Sequence, residues 1–331
     1  MHSIRKILTT AFILIATTIL LGKLFYYIYE PHGEMVTVRR MDFQRENGKI
    51  EAAIFGTSLA MNGFNPEIFD EKLGLNTFNF ATSKQSLESS YYLLEQIDKD
   101  NPLEMVVINI SGATLKETDS EAENYARNKA VWDAYYTRET KFRRFFDLYG
   151  MKEYEKALMY SFNMHDSNLI SLSKISNNTY YKNHEDELWE KKPEKYAGKG
   201  HIGNTNTIKR RTKVRGKYII AKSFDEEETN EDNMKYLKKI LLYCQEHEIR
   251  MVMVTTPPSP MLNRLLRNKK EMYAFYSDLA KEYDAEYYYY SEEELESIYD
   301  TPYYFEWSHL NTHGAQILSN DVCDWLLEEG N

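Results

Sequence analysis

The longest apolar run in the chain lies at its N-terminus. Every residue from 7 to 21 is apolar or threonine, and six more apolar or aromatic residues occupy 24–29. As a helix rising about 1.5 Å per residue, this stretch suffices to cross a bilayer. Arg5 and Lys6 precede it, and basic residues favour the cytoplasmic side. Because no small-x-small motif ends the run, the pattern favours an uncleaved membrane anchor over residues 1–30; the alternative is a cleaved signal peptide.

Beyond a polar connector over residues 30–48, short apolar runs alternate with stretches of helical periodicity. Continuous apolar runs are typical of buried parallel strands. The predicted strands cover residues 50–55, 75–80, 105–110, 249–255 and 285–290. The predicted helices cover residues 66–73, 85–99, 231–247, 261–283 and 314–327. This alternation predicts a doubly wound α/β fold built on a parallel sheet.

The alternation breaks between residues 114 and 224. That stretch carries helical patterns around 121–136, 141–149 and 154–162, followed by a polar segment that contains glycines. We predict that residues 114–224 are a long, largely helical insertion between two sheet strands, forming a cap or side lobe. Its most basic segment, residues 209–217, is open to two interpretations. It contacts an anionic polymer or lipid headgroups, or it is a solvated loop or edge strand.

Composition narrows the class of protein and its partners. Of the 331 residues, 42% are hydrophobic and 28% are charged, which is ordinary for a globular protein. The formal net charge of −10 argues against nucleic acid as the main partner. Cys244 and Cys323 lie among apolar neighbours and are expected to be buried free thiols, with a disulfide between them as the alternative. No residue spacing suggests a metal site, and no cofactor is predicted.

The candidate chemistry begins at the end of the first predicted strand. Residues 52–55 are apolar, Gly56 permits a tight bend, and Ser58 follows where the strand passes into a turn. Open α/β sheets bind their ligands beyond the carboxyl ends of the strands, so the Ser58 hydroxyl is a candidate nucleophile. The alternative is a turn serine that caps a helix.

A histidine with an acidic neighbour precedes the last predicted helix. His309 would be the general base, because imidazole exchanges a proton near neutral pH, and Glu306 would orient its ring. The spacing of three residues in a turn lets the carboxylate face Nδ1 of the ring while Nε2 points at the serine. Ser58, His309 and Glu306 are therefore predicted to converge as nucleophile, base and orienting group. The alternative is a helix-entry segment whose histidine is merely on the surface.

The motifs at the two ends of the chain fit one family. Gly-Thr-Ser occupies residues 56–58, Glu-x-x-His occupies 306–309, and His-Leu-Asn-x-x-Gly-Ala occupies 309–315. The chain thereby resembles the SGNH (GDSL-type) hydrolase superfamily, which has Gly-Asp-Ser or Gly-x-Ser and Asp-x-x-His at these places. The likeness is strongest to its membrane-anchored branch, which includes alginate O-acetylation proteins and DltD-like proteins of teichoic-acid D-alanylation. It covers residues 48–114 and 232–328.

The resemblance implies a three-layer, flavodoxin-like α/β/α domain over residues 31–331, outside the cytoplasm and tethered by the N-terminal helix. It implies transfer or removal of acyl groups, acetyl being the expected one, on a cell-surface polysaccharide. Proteins of this branch often work with a membrane-bound O-acyltransferase, which is the expected partner. A non-catalytic accessory protein that binds the polymer or the transferase is the main alternative. A lipase-like hydrolase is disfavoured because no long apolar lid is evident.

The resemblance also implies three hydrogen-bond donors for an oxyanion. The first is the backbone N–H of Ser58. The second is a glycine in the family, and Lys84 stands at that place here, which keeps the backbone N–H but puts the conformation that glycine permits in doubt. The third is an asparagine after the third strand, which is missing from that place, so Ser111 and Asn62 are the candidate replacements. In other enzymes one such donor is worth roughly 3 kcal/mol.

Overall fold

The computed structural model of the chain describes residues 2–29, 33–116, 131–149, 172–208, 214–298 and 300–329. By their contacts the residues form two units. The smaller unit is Met1–Val38 with Arg138–Lys192, and the larger is Arg39–Thr137 with Pro193–Asn331. The predicted insertion, residues 114–224, is therefore divided between the two units and is not one body. Its role as a cap stays a prediction.

The regular elements are named here in chain order. The helices are α1 (His2–Tyr29), α2 (Glu34–Glu46), α3 (Ser58–Gly63), α4 (Pro66–Leu73), α5 (Leu87–Asp100), α6 (Arg138–Tyr149), α7 (Leu172–Asn183), α8 (Glu185–Glu190), α9 (Gly216–Lys222), α10 (Glu231–Glu246), α11 (Pro260–Asn263), α12 (Lys269–Glu282), α13 (Glu292–Ile298) and α14 (Thr312–Glu329). The strands are β1 (Ala52–Phe55), β2 (Thr77–Asn79), β3 (Met105–Ile110), β4 (Tyr196–Gly198), β5 (His201–Ile202), β6 (Arg250–Thr255) and β7 (Glu286–Tyr288).

Helix α1 belongs to the smaller unit, in which it packs against α7. Its segment Ile4–Leu21 has a mean hydropathy of 1.8, and none of that segment is buried. Within the described part of the chain, this is the one helix long and apolar enough to cross a membrane. Helix α1 therefore has the length and composition that the predicted anchor requires.

The larger unit is built on a five-stranded sheet in the order β2-β1-β3-β6-β7. All of its strand pairs are parallel, with Ala52 opposite both Thr77 and Met105 and with Met105 opposite Arg250. Strands β4 and β5 form a separate antiparallel pair. The prediction of an α/β fold with a parallel sheet is thus confirmed.

Both faces of the central strands are buried. Ile54, Val107 and Val254 lie in one apolar cluster with side chains of α4 and α14. Neighbouring residues of a strand point to opposite faces, and the alternate residues Phe55 and Ile108 are equally buried, so the second face is covered as well. Helix α14 packs against α3 and α4, and α10 packs against α5. Burial on both faces explains why these strands are almost entirely apolar.

Two elements have the predicted bounds, and in each the sequence pattern that predicts them lies within the element or next to it. Helix α4 covers Pro66–Leu73 as predicted, with the Asn65 side chain accepting from the N–H of Glu67. Strand β3 also has the predicted bounds, Met105–Ile110. Proline at the first helical position and an asparagine cap specify a helix start without help from the rest of the chain.

The polar connector predicted over residues 30–48 is wrong, because most of it is helix α2. Six of the thirteen residues in α2 are charged, and they interrupt the apolar pattern that would predict a helix. Phe43 is buried and meets the rings of Phe80 and Tyr135 edge-on, at 5.4 and 5.9 Å between centroids. The part of this helix from Arg39 onwards belongs to the larger unit, and packing within that unit defines it in the absence of a strong local pattern.

The single helix predicted over 261–283 is also wrong. Helix α11 ends at Asn263 and α12 begins at Lys269, after Asn268 takes the left-handed conformation with φ of 55°. The intervening segment hydrogen-bonds to distant residues: the N–H of Arg267 donates to Ser223 Oγ at 3.0 Å, and Asn268 Nδ2 donates to the Phe224 carbonyl at 3.1 Å. These partners lie more than 40 residues away, so no local pattern indicates the break.

Within the predicted insertion, no described residue belongs to a strand of the five-stranded sheet. The helical patterns predicted over 121–130 and 154–162 lie outside the described residues, as do residues 209–213 of the basic segment. Lys217, at the end of that segment, lies in α9, so this part is helical and not a loop or edge strand.

The two cysteines are buried and unpaired, as predicted. Burial raises the pKa of the Cys244 thiol and of the Cys323 thiol to about 12, so both stay protonated at neutral pH.

A buried histidine makes the larger unit sensitive to acid. His201 in β5 is 2% exposed, and its Nδ1 has no hydrogen-bond partner. Burial lowers the pKa of His201 from 6.5 to about 4. The folded protein therefore keeps this ring neutral at a pH where the unfolded chain binds a proton. The stability present above the unfolded value is lost as pH falls from about 6.5 towards the folded value of about 4.

We expect the free energy of unfolding to fall by about 2 kcal/mol between pH 7.5 and 5 through this group. His201→Gln should remove that part of the pH dependence, whatever its effect on absolute stability. Urea unfolding of the full chain in detergent at the two pH values measures the difference. An identical pH dependence in the variant and the parent protein would contradict the assignment.

Candidate active site

The turn after β1 places Ser58 at the carboxyl edge of the sheet. Gly56 has φ of 141°, and a Cβ there would lie 2.8 Å from Cβ of Asn109 and 3.0 Å from Cβ of Ala60. Only glycine fits both the conformation and the space. Thr57 caps α3, its Oγ1 accepting from the N–H of Leu59 at 3.3 Å. The capping role therefore belongs to Thr57, which leaves the Ser58 hydroxyl available for other contacts.

The loop before α14 carries the histidine and is fixed to the end of β6. Tyr304 is fully buried, and its hydroxyl donates to the carbonyls of Pro257 and Pro258 at 3.3 and 3.0 Å. The N–H of Ser259 donates to the Trp307 carbonyl at 3.0 Å. The proline-containing turn after β6 thus holds the histidine loop in place.

Asn311 and Gly314 of the motif at residues 309–315 have structural roles. Asn311 Oδ1 accepts from the N–H of Gly314 at 3.1 Å, and Asn311 Nδ2 donates to the Pro302 carbonyl at 2.7 Å. A Cβ on Gly314 would lie 2.5 Å from the Tyr303 carbonyl oxygen. The asparagine and the glycine therefore fix the start of α14 against the 3₁₀ turn at Thr301–Tyr303.

The structure brings the three predicted residues together. Ser58 Oγ lies 2.7 Å from His309 Nε2, and His309 Nδ1 lies 2.7 Å from Glu306 Oε1. With Nδ1–H donating to the carboxylate, Nε2 is left to accept the serine proton. This hydrogen bond from His309 lowers the pKa of Glu306, and the charge of Lys222 adds a smaller effect in the same direction. Glu306 is therefore an anion at neutral pH and holds the ring in the orientation that a base requires.

Two residues that the sequence analysis missed extend this network. Ser308 Oγ lies 3.3 Å from His309 Nδ1 and 2.6 Å from the hydroxyl of Tyr218 in α9. Burial raises the pKa of Tyr218, with the charge of Glu306 adding to it, so the phenol stays protonated. Ser308 lies within the Glu-x-x-His motif, but nothing local links Tyr218 to Ser308, since the two are 90 residues apart.

The predicted oxyanion donors differ in their position and in the contacts they make. Ser58 is the first residue of α3, so its backbone N–H has no acceptor within that helix. Lys84 has φ of 59°, the left-handed conformation that glycine permits, and it lines the same cleft as Ser58. Asn62 is buried, its Nδ2 donates to the Ile202 carbonyl at 2.8 Å, and it is not among the residues that line the cleft, so its role as a donor stays a prediction.

Ser111 lines the cleft but is held within its own turn. Its backbone N–H donates to Thr114 Oγ1 at 2.7 Å, and its hydroxyl lies 3.2 Å from the same oxygen. Asn109, which the sequence analysis overlooked, also lines the cleft, although its Nδ2 donates to the Val254 carbonyl at 3.2 Å. A polar residue within the otherwise apolar run 105–110 is the signal that could have identified it.

Ser58 opens onto a cleft of about 850 Å³ with a basic lining. Four lysines contribute to its walls: Lys84, Lys116, Lys217 and Lys222. Glu228 is the acidic residue in the lining, and it forms an ion pair with Lys116 at 2.5 Å. The cleft is thus positive although the whole chain carries a net negative charge.

Among the described residues, no group of three or more His, Cys, Asp or Glu side chains is arranged to hold a metal ion. No protein-family model matches the chain, and no curated protein matches it either. Its function is therefore inferred from its sequence motifs and from the geometry of the site.

We expect Tyr218→Phe to slow the reaction of Ser58 with an alkyl fluorophosphonate about fivefold. The variant removes a hydrogen bond worth about 1 kcal/mol from Ser308, which lies beside the base. Tyr243→Phe is the matched control. The hydroxyl of Tyr243 bonds to Asp98 at 2.7 Å, and Tyr243 neither lines the cleft nor belongs to the histidine loop. The rate of labelling measures the activation of the serine. Equal slowing in both variants would contradict a positioning role for Tyr218.

Proposed function

We propose that this protein is a membrane-anchored serine acyltransferase or esterase that acts on O-acyl groups, acetyl foremost, of a cell-surface polysaccharide. The observation that carries the proposal is the continuous contact from Ser58 Oγ through His309 to Glu306, with both bonds at 2.7 Å. A hydroxyl, a base and an orienting carboxylate in this arrangement are the parts that acyl transfer needs.

The proposed reaction has two halves that share one acyl-enzyme. Ser58 Oγ attacks the acyl carbonyl carbon while its proton passes to His309 Nε2. The leaving oxygen of the donor takes that proton as its bond to carbon breaks, and an ester remains on Ser58. A sugar hydroxyl or water then gives its proton to His309 and attacks the same carbon, and Ser58 recovers its proton on release. Through both halves Glu306 stabilises the charged imidazolium.

The backbone around the site supports a place among SGNH-type proteins. The parallel order β2-β1-β3-β6-β7, with covered faces, is compatible with a three-layer, flavodoxin-like domain. Ser58 follows the first strand and His309 precedes the last helix, which is the order that this superfamily uses. The left-handed backbone at Lys84 supports a second oxyanion donor at the place of the family's glycine.

The N-terminal helix and the basic cleft at Ser58 support a polymeric substrate outside the cytoplasm. Helix α1 would anchor the chain, with Arg5 and Lys6 on the cytoplasmic side. The basic cleft would attract an anionic polymer such as an acidic polysaccharide. Because a single span cannot carry an acyl donor across the bilayer, a membrane-bound O-acyltransferase is the partner that would supply the acyl group.

A non-catalytic accessory protein is the second candidate. It is favoured by the lack of an evident third oxyanion donor among the described residues. The side-chain amides of Asn62 and Asn109 both donate to main-chain carbonyls instead. Such a protein would bind the polymer or the transferase without forming an acyl-enzyme.

We expect Ser58→Ala to abolish turnover of p-nitrophenyl acetate, because it removes the nucleophile. His309→Ala should lose nearly as much, since members of such a triad act as a unit. Glu306→Gln should lose less, because it orients the ring and its side chain is 52% exposed. Steady-state hydrolysis by the full chain in detergent measures all three.

The accessory candidate predicts different results: no ester turnover by the unchanged protein, and Ser58→Ala that still supports polymer acylation in cells. Normal surface acylation with Ser58→Ala as the only copy would refute the catalytic proposal.

The anchor is tested separately by N-terminal sequencing of the protein from membranes. We expect the sequence to begin at or near Met1, because no cleavage motif follows the apolar run. A start beyond residue 20 would show that the segment is a signal peptide and that the domain is secreted.

A further inference from the structure

We infer that a small apolar cavity beside Ser58 is the acyl subsite and that it restricts the transferred group to a short, uncharged acyl chain; this inference rests on the proposed function. The cavity has a volume of about 50 Å³. Its apolar walls are Leu59, Phe224, Pro258, Leu262, Leu266 and Met272.

The cavity lies next to the reacting groups. Leu59 adjoins Ser58 in the chain, and Ser308, which also lines the cavity, adjoins His309. Leu59, Ser111 and Lys222 line both this cavity and the basic cleft that Ser58 lines, so the two spaces adjoin each other. An ester attacked by Ser58 has two substituents on its carbonyl carbon. The wide basic cleft suits the sugar side, and the narrow apolar cavity suits the acyl side.

Rigid parts of the fold set the size of the cavity. A Cβ on Gly112 would lie 2.6 Å from the Lys222 carbonyl oxygen and 2.8 Å from the Phe224 nitrogen, so the turn after β3 is seated directly against the end of α9. Leu262 and Met272 are 1% and 6% exposed. A cavity needs roughly 10–15 Å³ to hold one water molecule, so a cavity of about 50 Å³ admits only a small group. That is the methyl of an acetyl group or the ethyl of a propionyl group.

The charges at the rim disfavour an aminoacyl group. Lys222, Arg267 and Lys269 line the cavity together with the apolar residues. Lys269 is paired with Glu292 at 2.8 Å, and no carboxylate of the described residues lines the cavity, so an ammonium group placed there would meet positive charge without a counter-ion. A protonated aminoacyl ester would therefore be a much poorer substrate than a neutral ester of the same size.

The test compares chain-length preference between variants. For the unchanged protein we expect kcat/KM for p-nitrophenyl acetate to exceed that for the butyrate. Leu262→Ala, which removes a wall of the cavity, should raise the butyrate-to-acetate ratio at least about tenfold, because two methylenes gain a buried place. The ratio is taken within one preparation, so it does not depend on the fraction of protein that is folded.

Two further variants complete the design. Leu266→Ala removes a half-buried wall residue and decides the question if Leu262→Ala does not fold. Leu279→Ala is the matched control, because Leu279 is buried at 6% exposure in α12 but does not line the cavity. Its ratio should not change. In the unchanged protein, phenyl propionate should be cleaved at least about a hundredfold faster than the phenyl ester of protonated alanine.

The outcomes separate the two proposals. An unchanged ratio in both wall variants, while acetate is still hydrolysed, would overturn the subsite and leave acyl transfer by Ser58 standing. Equal cleavage of the neutral and the protonated ester would overturn the charge selection. No turnover of any ester, together with no labelling of Ser58 by a fluorophosphonate, would overturn the proposed function and the subsite with it.

Discussion

The candidate site depends on how closely the turn after β1 approaches β3. No side chain fits at Gly56, because its Cβ would meet Cβ of Asn109 at 2.8 Å in a backbone conformation that L-residues rarely adopt. With glycine there, the chain turns within one residue, so that Thr57 caps α3 and Ser58 stands directly beyond the sheet edge. A longer turn would move the hydroxyl away from His309 Nε2, and a bond of 2.7 Å allows little displacement.

The other side of the site is held by long-range hydrogen bonds. The buried hydroxyl of Tyr304 and the main chain of Ser259 connect the histidine loop to the turn after β6. Strands β1 and β6 both pair with β3 in parallel, so their carboxyl ends meet at one edge of the sheet. Fixing the histidine loop to the end of β6 therefore also fixes it relative to Ser58.

Sequence reasoning succeeded where the physical cause is local and failed where it is not. Strand β3 is apolar except for Asn109, and α4 has an asparagine cap and a first-position proline, so both have the predicted bounds. Ser58 and His309 could be paired because each lies in a short motif. The break at Asn268 and the contact of Tyr218 with Ser308 depend on partners 44 and 90 residues away, which no local pattern encodes. The bond from Asn62 to the Ile202 carbonyl could not be predicted, because a sequence does not reveal which carbonyl a side-chain amide meets.

Helix α9 connects these observations, although no motif includes it. One face of this short helix supplies Tyr218 to the network around the base. Its last residue, Lys222, borders both the basic cleft and the apolar cavity, and its carbonyl meets the glycine turn after β3. The end of the predicted insertion is thus part of the site and not a distant lobe. The two motifs supply the nucleophile and the base, and α9 shapes the space around them. Chains with the same motifs but a different segment in place of α9 should therefore keep the same nucleophile and base and differ in the acyl groups that they accept.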